Sequence, residues 1–389
     1  MFMRNSLLAL AVTATSLLAQ LPPQLAGSRV SGRIQLPPDS PVTLVAADWS
    51  ESRSTERGGA ALIDLHTDLS LRNTTQRKIR GLTLSVVSQQ VAPGGRASVT
   101  KASLDVGPGD NFQVKIDLRL LRPIVPGQGA GQGSDAPSVE VTLDGVLFDD
   151  LSFYGPNRLD SRRVLTAWEM EAQRDRKHFA QVLAAQGNDG LKREALASLD
   201  RQGEMPRLDT HYARAQRTTG NASGRLTKLA LLNFPDSPVE ALGGSAQVTS
   251  DVSMMPKVDV VNRSRRPVRS MEVGWLMKDT TGKEFLGGSL PAARALAPGA
   301  KASIGDEASL EFTAPDGDKI NIGWAPGSIQ AFVSQVEFAD GSVWIPSRAA
   351  LGDAQLRRVM PPSAEEQRLT TIYRKRGLGA LINELKKFE

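Results

Sequence analysis

The chain has 389 residues, of which 40% are hydrophobic and 23% are charged, and its formal net charge is +5. This length predicts two or three domains, and the composition excludes wholesale disorder because enough apolar material is present to form cores. The chain contains no Cys, which excludes disulfides, thiol catalysis, thiolate metal sites and acylation through a lipoprotein Cys. Stability must therefore come from the burial of apolar side chains.

Residues 1–19 have the pattern of a secretory signal peptide. Arg4 supplies a positive charge, and Ser6–Leu18 is an apolar run that is too short to cross a bilayer comfortably. We expect cleavage after Ala19, which would place the mature protein in the periplasm or outside the cell. The alternative is an uncleaved membrane anchor.

Residues 31–158 are predicted to form a first β-sandwich. Apolar and polar residues alternate in LIDLHTDLSL (Leu62–Leu71) and in FQVKIDLRL (Phe112–Leu120). A period of two is typical of antiparallel strands with one buried side and one solvent-facing side. Short strands separated by Pro-Gly and Asp-Gly turns, without a helical period between them, favour a sandwich.

Residues 159–222 are predicted to be a helical connector. Apolar residues recur at nearly helical spacing within Ser161–Gln186. A second short helix is expected to begin near Asn188 or Asp189 and to end at Gly203.

Residues 223–348 repeat the first sandwich in sequence, which indicates a duplicated domain. Five blocks match in the same order, and their first residues are Ser31 and Ser223 (SGRI, SGRL), Pro38 and Pro235 (PDSPV twice), Asn73 and Asn262 (NTTQRKIRGLTL, NRSRRPVRSMEV), Val106 and Leu296 (VGPG, LAPG), and Val146 and Val336 (VLFDDLSFYGPNR, VEFADGSVWIPSR). Similarity that keeps one order along the chain predicts that the matched letters occupy equivalent strands.

Two of these blocks resemble a known group of domains. The strand N-x-[ST]-x-R-x-[IV]-R and the hairpin V-x-F-x-D-x-S-x-[YW] are similar to small immunoglobulin-like modules of exported bacterial proteins, the FxLYD-type group. The resemblance implies tandem immunoglobulin-like sandwiches in an extracytoplasmic setting, and it carries no catalytic residues over to this chain. The first copy departs from the second where Asp149-Asp150-Leu151 replaces an Asp-Gly turn.

Residues 356–389 are predicted to form a C-terminal helical segment. Ser363 and Glu366 match a capping box, and Gly377 and Gly379 are expected to break or bend the helix. Cations flank an apolar stripe in this segment, so it could lie on a membrane surface; the alternative is a solvated helix face with paired charges, which we favour. The candidate membrane or partner contacts are Arg374, Lys375, Arg376, Lys386 and Lys387.

Two repeated pairs of arginines are candidate ligand contacts. Arg77 and Arg80 recur as Arg266 and Arg269. They could face a ligand, but charges on edge strands also discourage pairing between sheets, and we favour that interpretation.

One tryptophan is a candidate sugar-stacking residue. Trp324 lies in the Gly/Pro-rich loop NIGWAPGS, whereas Trp275 and Trp344 occupy positions in phase with a strand core. We therefore expect Trp275 and Trp344 to pack internally and Trp324 to be exposed.

Three other features could suggest a metal site, a catalytic carboxylate pair or a phosphate-binding loop, but each has a simpler structural explanation. His66, His178 and His211 lack metal-ligand spacing. Asp150 and Asp340 are expected to be turn residues of separate domains and not a facing carboxylate pair. The Gly127–Gly133 loop lacks the strand, helix and Lys-Ser/Thr ending of a phosphate-binding loop.

The sequence therefore predicts a non-enzymatic, exported binding or scaffold protein without a cofactor or metal. The expected partner is another envelope protein or a polysaccharide, and nucleic acid is not expected. The alternatives are a carbohydrate-binding module centred on Trp324, a peripheral membrane protein that attaches through its basic C-terminal helix, and an enzyme with a site between the two halves.

Overall fold

A computed structural model describes residues 28–88, 94–123, 139–204, 209–214, 225–248, 253–278, 282–305, 308–313 and 329–388. The predicted signal peptide, residues 1–19, lies outside the described residues. The protein is mainly β, and it contains two tandem antiparallel β-sandwiches, each followed by a helical segment, as the alternating sequence pattern predicted.

The first sandwich contains two five-stranded sheets. Its strands are β1 (Ser28–Arg29), β2 (Gly32–Gln35), β3 (Val42–Asp48), β4 (Arg53–Arg57), β5 (Ala60–Asn73), β6 (Ile79–Val87), β7 (Arg96–Lys101), β8 (Asn111–Pro123), β9 (Val139–Phe148) and β10 (Phe153–Tyr154). In one sheet, β5 pairs with β8 on one side and with β4 and β3 on the other. In the other sheet, which we call the helix-facing sheet, β6 and β9 are central.

The second sandwich has the same plan. Its strands are β11 (Asp209–Arg214), β12 (Arg225–Lys228), β13 (Ala230–Leu231), β14 (Val239–Val248), β15 (Ser253–Asn262), β16 (Val268–Lys278), β17 (Glu284–Ala292), β18 (Lys301–Ile304), β19 (Ala308–Thr313), β20 (Ile329–Phe338) and β21 (Val343–Trp344). The helix-facing sheet of this sandwich has the order β13-β20-β16-β17, with β21 also paired to β20.

The central strands of the two helix-facing sheets have their irregularities at matching positions. The β6–β9 register shifts past Arg80 and again past Asp144. The β16–β20 register shifts past Arg269 and again past Ser334. A β-bulge re-aims the side chains around it, so matching bulges place matching residues in the same directions in both copies.

One matched block was wrongly paired. SGRI lies in β2, which runs parallel to β9, whereas the end of SGRL lies in β12, which is antiparallel to β14 in the opposite sheet. The structural counterpart of β2 is β13, which runs parallel to β20. A four-residue match carries too little pattern to distinguish one edge strand from another.

The two helical segments pack together as one structure. They contain α1 (Ser161–Glu204), α2 (Ala354–Val359) and α3 (Ala364–Leu385), with short 3-10 turns at Ala350–Gly352 and Lys386–Phe388. We call α1 and α3 together the helical unit. Its shared core contains Phe179, Leu191, Ala195, Leu369, Leu381 and Leu385.

Both helices of this unit are interrupted by a glycine. Gly187 has φ 66° and Gly377 has φ 81°, values that favour Gly, so each helix is two shorter helices joined at a break. The predicted break before Asn188 and the predicted break at Gly377 are both confirmed. The Ser363 hydroxyl accepts a hydrogen bond from the Glu366 backbone N–H at 3.0 Å, which confirms the predicted N-cap.

The first half of α1 lies against the helix-facing sheets. Leu165 packs so closely on Gly81 of β6 that a Cβ on that glycine would be 2.6 Å from the leucine Cδ2 atom. Ala167 packs against Val343 and Ile345 of the second sandwich. The helices of the described ranges all fall short of the length and apolarity that a bilayer crossing requires.

Candidate functional site

The repeated asparagines, Asn73 and Asn262, form hydrogen bonds that hold the same loops in each sandwich. Asn73 donates from Nδ2 to the Arg77 carbonyl at 2.8 Å, and Asn262 donates to the Arg266 carbonyl at 2.8 Å. Both side chains are fully buried, and both also bond to the backbone at the start of the following block. These two asparagine side chains satisfy buried backbone carbonyl groups in both copies. This structural role explains why the asparagine is present in both copies, and no ligand is needed to explain it.

Arg77 and Arg266 also belong to the structure of their own sandwiches. The Arg77 guanidinium lies 3.7 Å from the centre of the Phe148 ring, and Arg266 lies 3.8 Å from that of Phe338. Each also contacts the turn that follows this phenylalanine. The edge-strand interpretation is wrong, because β6 and β16, which these residues precede, each have a partner strand on both sides.

The bulge arginines differ between the two copies. Arg80 is buried and lies 2.7 Å from Asp105 and 3.7 Å from Glu169 of α1. Its counterpart Arg269 is half exposed and lies 3.2 Å from Glu337. These two residues therefore do not form one stripe on a shared surface.

Asp150 and Asp340 occupy turns, as the sequence predicted. Asp340 accepts hydrogen bonds from the backbone N–H and the hydroxyl of Ser342 at 3.0 and 2.8 Å, and these bonds lower its pKa to about 2. Bonds from Ser152 lower the pKa of Asp150 in the same way. Each carboxylate serves its own turn, so the pair is not a catalytic dyad.

A cleft of about 380 Å³ lies between α1 and the helix-facing sheet of the second sandwich. We call it the α1 cleft. Its lining residues are Arg163, Val164, Ala167, Trp168 and Glu171 of α1, Glu272, Gly274, Trp275, Leu286, Gly288, Ser289, Phe332, Ser334 and Gln335 of the sheet, and Ile345, Val359, Met360 and Pro361. Mostly apolar concave sites with a few convergent polar groups are typical of small-ligand binding.

Arg163 organises the polar part of the α1 cleft. Its Nη1 donates to Glu272 Oε2 and to Gln335 Oε1, both at 2.8 Å. Glu272 and Gln335 face each other across β16 and β20, and the other Glu272 oxygen accepts from the Ser289 hydroxyl. Because Arg163 is buried, this ion pair fixes the position of α1 on the sheet.

One further group in the α1 cleft is in an unusual state. Burial raises the pKa of Glu171 to about 7, and the nearby negative charges of Asp175 and Glu272 act in the same direction. The cleft therefore offers a carboxyl group whose pKa lies near neutral pH. The Trp275 indole, by contrast, belongs to the core of the second sandwich, where its Nε1 has no hydrogen-bond acceptor among the described residues.

The predicted internal packing of Trp275 and Trp344 is confirmed, and a further tryptophan lines the α1 cleft. Trp275 is 1% exposed and belongs to the core, and Trp344 packs partly against it, as expected. Trp168, which the sequence placed on an apolar helix stripe, is 40% exposed and lines the α1 cleft. Trp324 lies outside the described residues, as does the Gly127–Gly133 loop.

Two of the histidines have ionic partners. His66 Nδ1 lies 3.0 Å from Asp117 on the open face of the first sandwich. His178 Nε2 lies 2.8 Å from Glu194, and Arg348 donates to the same carboxylate at 2.8 Å. His178 lowers the pKa of Glu194 to about 2. Among the described residues, His, Asp and Glu form no group of three that could hold a metal ion.

The candidate cations of the C-terminal segment are exposed at two places on the helical unit. Arg374, Lys375 and Arg376 lie beside the break at Gly377, and Lys386 and Lys387 lie in the 3-10 turn after α3, where Lys387 pairs with Glu384. The apolar stripe between them is buried, because Leu381 and Leu385 pack against α1. The stripe that the membrane alternative requires to face lipid therefore packs against protein.

Sequence reasoning missed the α1 cleft because it followed the letters that the two copies share. By the alignment of the blocks, Glu272 replaces Thr83, Gln335 replaces Gly145 and Trp275 replaces Val86. The sequence did contain a signal for this site: at these aligned positions the first copy has apolar or small residues and the second copy has polar or aromatic ones.

Comparisons with known proteins add little to this geometry. No family model matches the sequence, and no curated protein matches it closely enough to count as a relative. A β-glucosidase from Kluyveromyces marxianus is 10% identical, with a TM-score of 0.16 over 71% of this chain and 45% of its own. A β-glucosidase from Streptomyces venezuelae in complex with D-glucose is 11% identical, with a TM-score of 0.16 over 75% of this chain and 46% of its own. The chain spans less than half of each enzyme, and similarity this low carries no argument about fold or activity.

Proposed function

We propose that this chain is an exported, non-enzymatic binding protein whose α1 cleft holds a polysaccharide. The observation that carries the proposal is the combination, in one cleft, of the exposed face of Trp168 with the polar groups of Glu272, Gln335 and Ser289. The two sandwiches and the helical unit form the scaffold that positions the cleft.

A sugar ring matches this combination of groups. Its C–H face stacks on an indole ring, and its hydroxyl groups accept and donate hydrogen bonds around the rim. Phe332 and Ala167 supply the apolar remainder of the walls.

The proposal is tested by binding of the purified mature protein to a panel of neutral and acidic polysaccharides. We expect the Trp168→Ala variant to lose at least about tenfold in affinity, because one stacked ring contributes of the order of 1 kcal/mol or more. Trp324→Ala tests the alternative that the sequence offered, in which the sugar stacks on the tryptophan of NIGWAPGS.

Two outcomes separate the sites. Equal weakening by both variants, or weakening by Trp324→Ala alone, would remove the α1 cleft as the binding site. Circular dichroism of the variants shows whether either one has simply unfolded.

A second candidate, glycoside hydrolysis, is favoured by one observation. Glu171 has a pKa of about 7, and Glu272 is a carboxylate in the same cleft, whereas glycosidases need one protonated carboxyl and one ionised one. We favour binding because both Glu272 oxygens are already engaged, by Arg163 and Ser289. A reducing-sugar assay decides between them: release that Glu171→Gln abolishes would establish an enzyme.

The exported location rests on the sequence of residues 1–19 and is tested separately. N-terminal sequencing of the protein recovered from the envelope fraction should begin at Gln20. An N-terminus at Met1 would instead support the uncleaved anchor.

A further inference from the structure

A second and larger cavity, of about 920 Å³, adjoins the α1 cleft. It lies between the second half of α1, the start of β17, α2 and the start of α3, and we call it the basic groove. Its charged lining residues are Arg201, Lys283, Arg357, Arg358 and Glu194. Four cations therefore face one carboxylate across a space large enough for a sugar unit or more.

The single carboxylate does not neutralise the basic groove. Glu194 is already bonded to Arg348 at 2.8 Å and contacts His178, which keep it ionised and occupied. The attraction of His178 and Arg348, neither of which lines the groove, exceeds the further attraction of Arg357 for the same carboxylate. The groove retains positive potential for an anion from solution.

The lining arginines differ in how firmly they are paired. Arg201 bonds to Glu366 and Arg358 to Glu284. Arg357 has no carboxylate within ion-pair distance among the described residues, and it donates to the Gly352 carbonyl at a long 3.5 Å. It is half-buried. Its attraction to Glu194 acts at longer range than an ion pair. A half-buried guanidinium without a direct ion pair is a strong anion ligand, because pairing recovers part of its lost solvation.

The basic groove and the α1 cleft are continuous in their lining. Leu286 and Met360 belong to both, so one chain-like ligand that passes them would contact both cavities. Methionine side chains adapt readily to such contacts.

We propose that the basic groove binds the anionic substituents of the polysaccharide held in the α1 cleft, so that the ligand is an acidic polysaccharide. This inference rests on the proposed function, and it names the substrate class of the same site. The carboxylate, sulfate or phosphate groups of a glycan share the chemistry that Arg357 and its neighbours recognise: oxygens that accept hydrogen bonds and carry negative charge.

The test uses pairs of glycans that share a backbone and differ in charge. Suitable pairs are dextran with carboxymethyl dextran and with dextran sulfate, and methyl-esterified pectin with polygalacturonate. For a backbone that the wild type binds, we expect the charged form to bind about tenfold tighter than the neutral form at low salt. The comparison of carboxylate with sulfate on dextran identifies the preferred anion.

Variants show whether the preference arises in the basic groove. Arg357→Gln should abolish the preference for the charged form and leave binding of the neutral form unchanged. Arg374→Gln, which removes the same charge from the exposed break in α3, should retain the preference. Inorganic phosphate and free galacturonate, added as competitors, distinguish a site for any anion from one for a glycan, because neither should displace the polymer at equal molar concentration.

The outcomes separate the two proposals. Equal affinity for charged and neutral forms, equal effects of Arg357→Gln and Arg374→Gln, or displacement of the polymer by phosphate overturns the inference about the basic groove alone. Wild-type binding that Trp168→Ala leaves unchanged overturns the proposed function of the α1 cleft. Failure of the wild type to bind any pair overturns both.

Discussion

The two sandwiches carry different residues at the same bulge. In the first, Thr83 is buried and shares a hydrogen bond with Thr100 at 3.1 Å. The ring of Phe153 covers Gly145, to the point where a Cβ on that glycine would be 2.0 Å from the ring. In the second, the corresponding residues are Glu272 and Gln335, and they hold Arg163 of α1.

The difference shows how one backbone gives a closed surface in one copy and a polar cleft in the other. Phe153 of β10 aligns with Val343 of β21, a smaller side chain that leaves room for Gln335 beside it. The residues that both copies share, such as Asn73 and Asn262, lie away from this surface and fasten the loops. The shared residues maintain the fold, and the residues that differ define the candidate site.

We expect the largest loss of stability when a buried asparagine that both sandwiches share is replaced. Asn73→Ala and Asn262→Ala should each lower the free energy of unfolding of their own sandwich by about 3 kcal/mol, because several buried backbone carbonyls lose their donor. Native-state hydrogen exchange measures each sandwich separately. Similar losses are expected in both; a loss in one sandwich only would show that the copies do not use this residue in the same way.

The next effect concerns the exchange of residues between the copies. Gly145→Gln should destabilise the first sandwich by about 2–3 kcal/mol, because the new side chain must displace the Phe153 ring. The reverse change, Gln335→Gly, should cost less stability, since Arg163 keeps its bond to Glu272. Chemical denaturation of both variants compares the two costs. Equal costs would contradict the account in which the Phe153 ring covers Gly145 whereas the smaller Val343 leaves room for Gln335.

The smallest effect concerns pH. The pKa of Glu171 is raised from 4.5 to about 7 in the folded protein. The folded state therefore binds more protons than the unfolded state between these values, and stability should fall as pH rises through 7. Glu171→Gln should lack this fall and be more stable above pH 7 by about 1–2 kcal/mol, a reduced value because the side chain is only half-buried.

The control for this pH dependence is Glu56→Gln. Glu56 is an exposed carboxyl of β4, so its replacement should leave the slope of stability against pH unchanged. A wild-type slope that survives in Glu171→Gln would show that another group causes it.

Much of the fold was predictable because its signals are local. The alternation in FQVKIDLRL predicted β8, the expected helix start near Asn188 matches the break at Gly187, and Gly377 and the Ser363 cap predicted where α3 breaks and begins. The candidate site was not predictable in the same way, because Arg163 and Glu272 are 109 residues apart and meet only when α1 lies on β16. The periodicity of apolar residues within a helix or strand does not indicate which other helix or strand will pack against it.

The joint core of the helical unit has a consequence for the order in which the chain can fold. Phe179 and Leu191 contact Leu369 and Leu385, which follow them after the whole second sandwich. The core of the helical unit therefore cannot close before α3 has been synthesised, and contacts of such long sequence separation slow folding. Because α1 also forms one wall of the α1 cleft, a late docking of α3 would make the candidate site one of the last parts of the chain to form.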